Sequence, residues 1–201
     1  KGRGRGNDNN QHRKDQNQQT NMLIADQLRK KNRAEYLLYM WQVEDLLRSF
    51  DCNAERVAAE YLPQFKADTA TTQKMTEWYA DLCEMMVSEG VRRQGHLQIN
   101  RNVLQELEEL HGRLLKGGKF PYYREMYYRI LPYIVELRAK GRSPEESELQ
   151  TCFEALYGVL MLRLKRMEIT PETDKAMKEI SGLLGQLSDY YSKDAAGELE
   201  C

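Results

Sequence analysis

An all-α fold is predicted for this chain: an up-and-down bundle of about six to seven helices behind a disordered N-terminal tail. Three observations predict it. Leucine outnumbers valine plus isoleucine by 25 to 13, which favours helix over strand. Apolar residues recur at helical spacing from Met22 to Tyr191, and hairpin dipeptides of the Asn-Gly type are absent. Glycine and proline sit at the ends of the periodic segments, and the short connections between them favour antiparallel neighbours.

The tail, residues 1–21, has no aliphatic or aromatic side chain before Asn21 and alternates Gly2, Gly4 and Gly6 with Arg3 and Arg5. Such a stretch buries too little surface to offset its ordering entropy. It holds five basic residues against Asp8 and Asp15, so the remainder of this chain of net charge −1 is acidic. Met22 opens the patterned region and is a candidate for the natural start, with the tail as an extension. The expected organisation is a tail over 1–21, a single helical domain over 22–191 and a frayed end over 192–201.

The first helix is expected from Met22 to Ser49. It is apolar nearly all round from Tyr36 to Val43, so its middle should be buried on most sides. A short second helix, Asn53 to Leu62, should stop before Pro63. The third carries Met75, Trp78, Tyr79, Leu82 and Met86 and should end at Gly90. Leu104, Leu107, His111 and Leu115 set the fourth, before Gly117-Gly118. The fifth starts at Pro121, a residue suited to a first turn, and Pro132 should kink or divide it. Ser143-Pro144-Glu145-Glu146 reads as a capping box for the sixth, with the stripe Leu149, Phe153, Leu156, Leu160, Leu164 and Met167. Thr170-Pro171-Glu172 opens the seventh, with Met177, Ile180, Leu184, Leu187 and Tyr191 inward.

Apolar residues at 41% and charged residues at 30% suit an ordinary globular protein. The longest strongly apolar run, Tyr36 to Trp41, has six residues against about 20 for a membrane span. Residues 1–21 lack the apolar core of a signal peptide. Cys52, Cys83, Cys152 and Cys201 are scattered, with no CxxC pair, so a reducing compartment, the cytoplasm, is expected.

Several separated phrases occur together in order. They are Met22-Leu23-Ile24-Ala25, then Ala34-Glu35-Tyr36-Leu37-Leu38-Tyr39-Met40-Trp41-Gln42-Val43-Glu44-Asp45-Leu46, then Trp78-Tyr79, Glu89-Gly90 and Gly95-His96-Leu97-Gln98-Ile99. Cys152-Phe153, Leu156-Tyr157-Gly158 and Leu162-Arg163-Leu164-Lys165 follow. Over residues 22–191 the chain resembles an uncharacterised bacterial family of Bacteroidetes, domain-of-unknown-function family 4924. The resemblance implies a compact bacterial helical domain and carries over no catalytic residue.

Glu35, Gln42, Glu44 and Asp45 lie in or beside the apolar stretch of the first helix. A buried carboxylate there needs a partner, and a polar pocket walled by Trp41, Glu44, Tyr79 and His96, with Tyr39, is the functional reading. A structural network fixing helix register is the plainer one. In Gly90-Val91-Arg92-Arg93-Gln94-Gly95-His96, Arg92 and Arg93 are candidate anion ligands beside a helix start, although the phosphate-loop ending Gly-Lys-Ser/Thr is missing. Glu108-x-x-His111 has the spacing of a di-iron helix, but the second such motif is missing, and His111 falls on an apolar stripe. No metal and no cofactor are therefore expected.

Tyr122, Tyr123, Arg124, Tyr127, Tyr128, Arg129 and Tyr133 mix aromatic and basic residues as single-strand binders do, yet core-edge tyrosines read the same way and the body is acidic. With no Gly-x-Ser-x-Gly and no cysteine near a histidine in sequence, no catalytic residue is assigned. The leading expectation is a non-enzymatic protein acting by protein–protein interaction or self-association. A small-ligand-binding or enzymatic bundle is the alternative, and weak RNA association through the tail and the Tyr/Arg helix the third. The expected partner is a protein or a second copy; neither nucleic acid nor a membrane is expected, and a small molecule stays open.

Overall fold

A computed structural model describes residues 21–140 and 146–200. Of the expected tail, 1–21, residues 1–20 lie outside the described residues, as does Cys201, and Asn21 is already in the first helix. Among the described residues the chain is helical without strands: α1 (Asn21–Lys31), α2 (Arg33–Ser49), α3 (Ala54–Arg56), α4 (Thr69–Ser88), α5 (Gln98–Lys116), α6 (Pro121–Lys140), α7 (Glu148–Leu164) and α8 (Pro171–Ala195). The all-α prediction holds. None of these helices is long and apolar enough to cross a membrane. The chain divides into two compact units, one of residues 21–29 and Met40–Leu97, the other of residues 30–39 and 98–200.

The first expected helix is two helices. Asn32 breaks it: its side chain accepts from Glu35 N–H at 3.1 Å and its carbonyl from Tyr36 N–H at 2.9 Å, the geometry of a helix cap. An Asn followed three residues later by Glu is itself a start signal, hidden here inside a continuous apolar pattern.

In the first unit, α2 ends in a turn where Asp51 and Cys52 both take positive φ, at 62° and 52°. Asn53 then caps α3 through Arg56 N–H. The chain continues as a π-helix (Val57–Tyr61) and a 3-10 helix (Leu62–Phe65). Pro63 does not stop it as expected, because it occupies the first turn of the 3-10 helix, where its missing N–H would have no partner anyway. Asp68 caps α4, accepting from Thr71 N–H at 2.9 Å. The expected stop at Gly90 is present: Gly90 has φ 71°, a conformation glycine adopts without strain. Met75, Tyr79, Leu82, Cys83 and Met86 give α4 its buried side, and Leu47, Val57 and Leu62 are buried with them in this unit.

In the second unit α5, α6, α7 and α8 form a four-helix bundle in which every pair is in contact. Its centre includes Leu107, Leu110, Tyr123, Ile134, Phe153 and Ile180, each at most 1% exposed. α6 runs unbroken through Pro132. That proline is exposed, and at an exposed position solvent can serve a carbonyl that a proline leaves unbonded. α7 begins later than expected: Ser147 caps it, accepting from Gln150 N–H at 3.0 Å. Of the expected box, Ser143, Pro144 and Glu145 lie outside the described residues. α8 is capped as predicted by Thr170, through Thr173 N–H. It continues to Ala195.

Candidate functional site

Two polar clusters, one in each unit, hold the histidines of the described residues. In the first unit Glu44 projects from α2 and is fully buried; among the described residues it is the one buried carboxylate. A carboxylate without water needs hydrogen bonds to survive. Glu44 Oε1 accepts Leu97 N–H at 2.9 Å, and Oε2 lies 2.6 Å from Nδ1 of His96. The imidazole is stacked on Trp41, centroids 4.1 Å apart and planes 13° from parallel. Trp41, Glu44 and Arg48 are three and four residues apart on α2, hence on one face. Arg48 bonds the Gly95 carbonyl and reaches the Val91 carbonyl at 3.2 Å, while Asp45 holds its other side at 2.7 Å. The loop from Gly90 to Leu97 is thus tied to α2 by an acid and a base one turn apart.

Of the four candidate pocket residues, Trp41, Glu44 and His96 come together. Tyr79 is buried with its ring against Tyr61 at 5.8 Å and Trp78 at 4.8 Å. Glu35 and Asp45 are exposed and Gln42 half-buried. Arg92 donates to the Asp51 carbonyl at 3.0 Å and pairs with its carboxylate at 3.2 Å; Arg93 is exposed in the same loop.

The second cluster is built by α5, α6 and the start of α7. His111 Nδ1 lies 2.7 Å from the Tyr123 hydroxyl. Its Nε2 is buried with no hydrogen-bond partner among the described residues. Burial holds the His111 imidazole below its ordinary pKa, against a smaller opposing pull from Glu148. Burial likewise pushes the Tyr123 phenol up. Tyr127 donates to Glu148 at 2.8 Å, and its pKa is pushed up to about 12 by burial first and that carboxylate second. Ser147 donates to Glu108, so the two ends of the Glu108-x-x-His111 motif serve different partners. Among the described residues no group of three His, Cys, Asp or Glu side chains is placed to hold a metal ion.

Burial raises the thiols of Cys52, Cys83 (to about 11) and Cys152 (to about 12), which keeps them protonated and poor nucleophiles near neutrality. The Tyr/Arg segment does not form one aromatic face. Tyr123 is inside, Tyr122 and Tyr128 are 60% and 58% exposed, and Arg129 pairs with Glu125.

Two open cavities lie along the first half of α8. One, of 170 Å³, is bounded by Tyr133, Leu137, Lys140 and Thr173; the other, of 260 Å³, by Leu156, Leu160, Arg163, Met177 and Lys178. Sequence reasoning missed this groove because it expected the whole α7 stripe to be core. It also missed Arg33, which donates to Tyr191 at 2.8 Å beside Glu106 and lies over the Tyr191 ring. No signal in the local sequence links residues so far apart.

No curated protein and no solved structure matches the chain. The model of the family described as Domain of unknown function (DUF4924) matches residues 22–198, nearly all of the helical region, and the chain belongs to that family.

Proposed function

We propose that the protein is a non-enzymatic docking domain that takes an acidic amphipathic helix of another protein into the groove between α7 and α8. One observation carries this reading: the apolar stripe of α7 outruns the core. Leu149 and Phe153 are 2% and 0% exposed, whereas Leu164 and Met167, beyond them, are 65% and 55% exposed. An apolar helix left uncovered marks a surface that another body covers. Leu156, Val159, Leu160 and Met177 form the groove floor. On its rim Arg163 and Lys178 share a single carboxylate, Asp174, at 2.6 and 2.8 Å. Two positive charges against one leave a surplus that favours a partner bearing carboxylates beside its leucines. The same reading places the protein in the cytoplasm of a bacterium, in keeping with its scattered thiols.

The test uses two synthetic helical peptides. Both carry leucine at i, i+4 and i+7; one is flanked by glutamate and the other by lysine. The acidic peptide should bind, less tightly as salt rises, and the Arg163→Glu/Lys178→Glu variant should weaken it on the order of ten-fold. Equal binding of both peptides, or no binding of the acidic one, rejects the reading. A mass that doubles with concentration, and stays single in Leu164→Glu, assigns the face instead to a second copy.

A further inference from the structure

We propose that His96 is a phosphoryl acceptor, with its Nε2 as nucleophile and Glu44 as the positioning residue that fixes the ring. The site belongs to the first unit and the docking groove to the second, and neither proposal rests on the other. Glu44 is fully buried and both of its oxygens are occupied, one by Leu97 N–H and one by His96 Nδ1. A carboxylate so placed accepts a hydrogen bond from Nδ1–H, which keeps the proton on Nδ1 and leaves the lone pair on Nε2. The His96 side chain is 27% exposed, whereas that of Glu44 is 1% exposed, so the ring is the part of the pair that meets solvent. Stacking on Trp41 and the bond to Glu44 together prevent the ring from turning over.

The surroundings select the electrophile. When Nε2 forms a bond, positive charge develops on the imidazole. The carboxylate at Nδ1 and the indole face beneath both stabilise that charge. The loop itself is basic: Arg48 is matched by Asp45 and Arg92 by Asp51, and Arg93 stands exposed between them and His96 with no ion pair among the described residues. With Glu44 counted the charges balance, but that carboxylate is taken up by Leu97 N–H and His96, so exposed Arg93 favours an anionic group over a metal cation. Glu44 has no free oxygen for a metal either.

The step balances for a donor that carries its phosphoryl group on a protonated nitrogen, as zwitterionic phosphoramidate does. The Nε2 lone pair attacks phosphorus, the new N–P bond forms, and the donor's P–N bond breaks with its electron pair leaving on the amine. The Nδ1 proton stays on the ring, held by Glu44, and neutral amine departs. Nothing is oxidised or reduced.

The full chain is incubated with phosphoramidate and the modified residue located by tandem mass spectrometry. A single phosphoryl group on His96 is expected, formed at least about ten-fold faster than on His96 of the chain unfolded in urea. Glu44→Gln should slow the reaction by a similar factor. Imidazole nitrogen shifts should place the proton on Nδ1 in the folded protein and on Nε2 in that variant, a readout that mere loss of packing would not produce. The urea comparison and the proton position decide the matter even where Glu44→Gln fails to fold. No label on His96, equal rates in folded and unfolded chain, or a proton on Nε2 of the folded protein would each overturn the proposal.

Discussion

His96 and His111 make bonds of nearly the same length through the same nitrogen, 2.6 Å to a carboxylate and 2.7 Å to a phenol. What differs is where the pair meets water. At His96 the partner is buried and the imidazole reaches solvent; at His111 both partners are buried, Tyr123 at 0% and the imidazole at 8% exposure. The first arrangement ties a dry carboxylate of the first unit to a ring that water reaches. The second removes charge from the middle of the bundle, and burial holds His111 in the neutral state. Distance and residue type alone would have called these two sites alike; desolvation separates them.

The largest expected effect is at Glu44. Glu44→Ala strands the buried Leu97 N–H and cuts His96 loose, which should cost about 3 kcal/mol in urea unfolding. Glu148→Ala, at the half-buried edge of the other cluster, should cost about 1 kcal/mol. Equal losses at the two positions would break the contrast between them.

Next in size is the coupling between His111 and Tyr123. Tyr123→Phe removes one partner and leaves the His111 Nδ1 buried and unsatisfied, for about 1–2 kcal/mol. Adding His111→Leu removes the second polar group, so the double variant should lose less than the two single losses summed, with a coupling of about 1 kcal/mol. Strict additivity would mean that the 2.7 Å contact contributes nothing.

The sequence carried much of this and left out the rest for identifiable reasons. The α4 stripe, the Gly90 stop and the Thr170 cap were legible because each depends on residues within one or two turns. Glu44 was singled out because a charge beside Tyr36–Val43 must be paired if it is buried. His96 was expected with it in the same pocket wall, but the bond between them could not be read, since the two lie 52 positions apart and a loop brings them together. Ser143 and Ser147 are each followed by acidic residues and compete as caps on equal local terms. Ser147 has a bond to Glu108 of α5, which no local pattern contains. The uncovered end of the α7 stripe was hidden too, since periodicity marks which side of a helix is apolar and not how far a neighbour extends to cover it.

Acid and alkali should each load the cluster of the second unit. The His111 pKa is lowered from 6.5 by folding, so the unfolded chain takes up that proton first. Its contribution to stability is intact above pH 6.5 and is lost as pH falls through 6.5 toward the folded value. Tyr127 runs the other way. Its pKa is raised from 10.0 to about 12, so its contribution is present below pH 10.0 and fades as pH climbs toward 12. Unfolding free energies measured against pH should show both limbs; His111→Gln should make the acid one shallower, and Tyr127→Phe the alkaline one, part of which Tyr123 and the buried thiols keep. An acid limb that survives in His111→Gln would have to come from other groups.

The smallest effect should be at Arg92, and it is the most pointed for the first unit. Arg92 bonds the same loop to the turn at Asp51, with a carbonyl contact and an ion pair as short as many that matter. Yet its side chain is 50% exposed and that of Asp51 75% exposed, so water competes for every bond the pair makes. Exposed pairs contribute about 0–1 kcal/mol, and Arg92→Ala should fall at the low end of that range. Glu44, one residue doing a similar tethering job from a dry site, should cost several times more. Both residues tether the same loop, and the helix propensity that Glu44→Ala gains in α2 works against the larger loss, so burial has to account for it. Should Arg92→Ala cost as much as Glu44→Ala, the loop would be held by its surface contacts, and the buried carboxylate would lose its claim to organise His96.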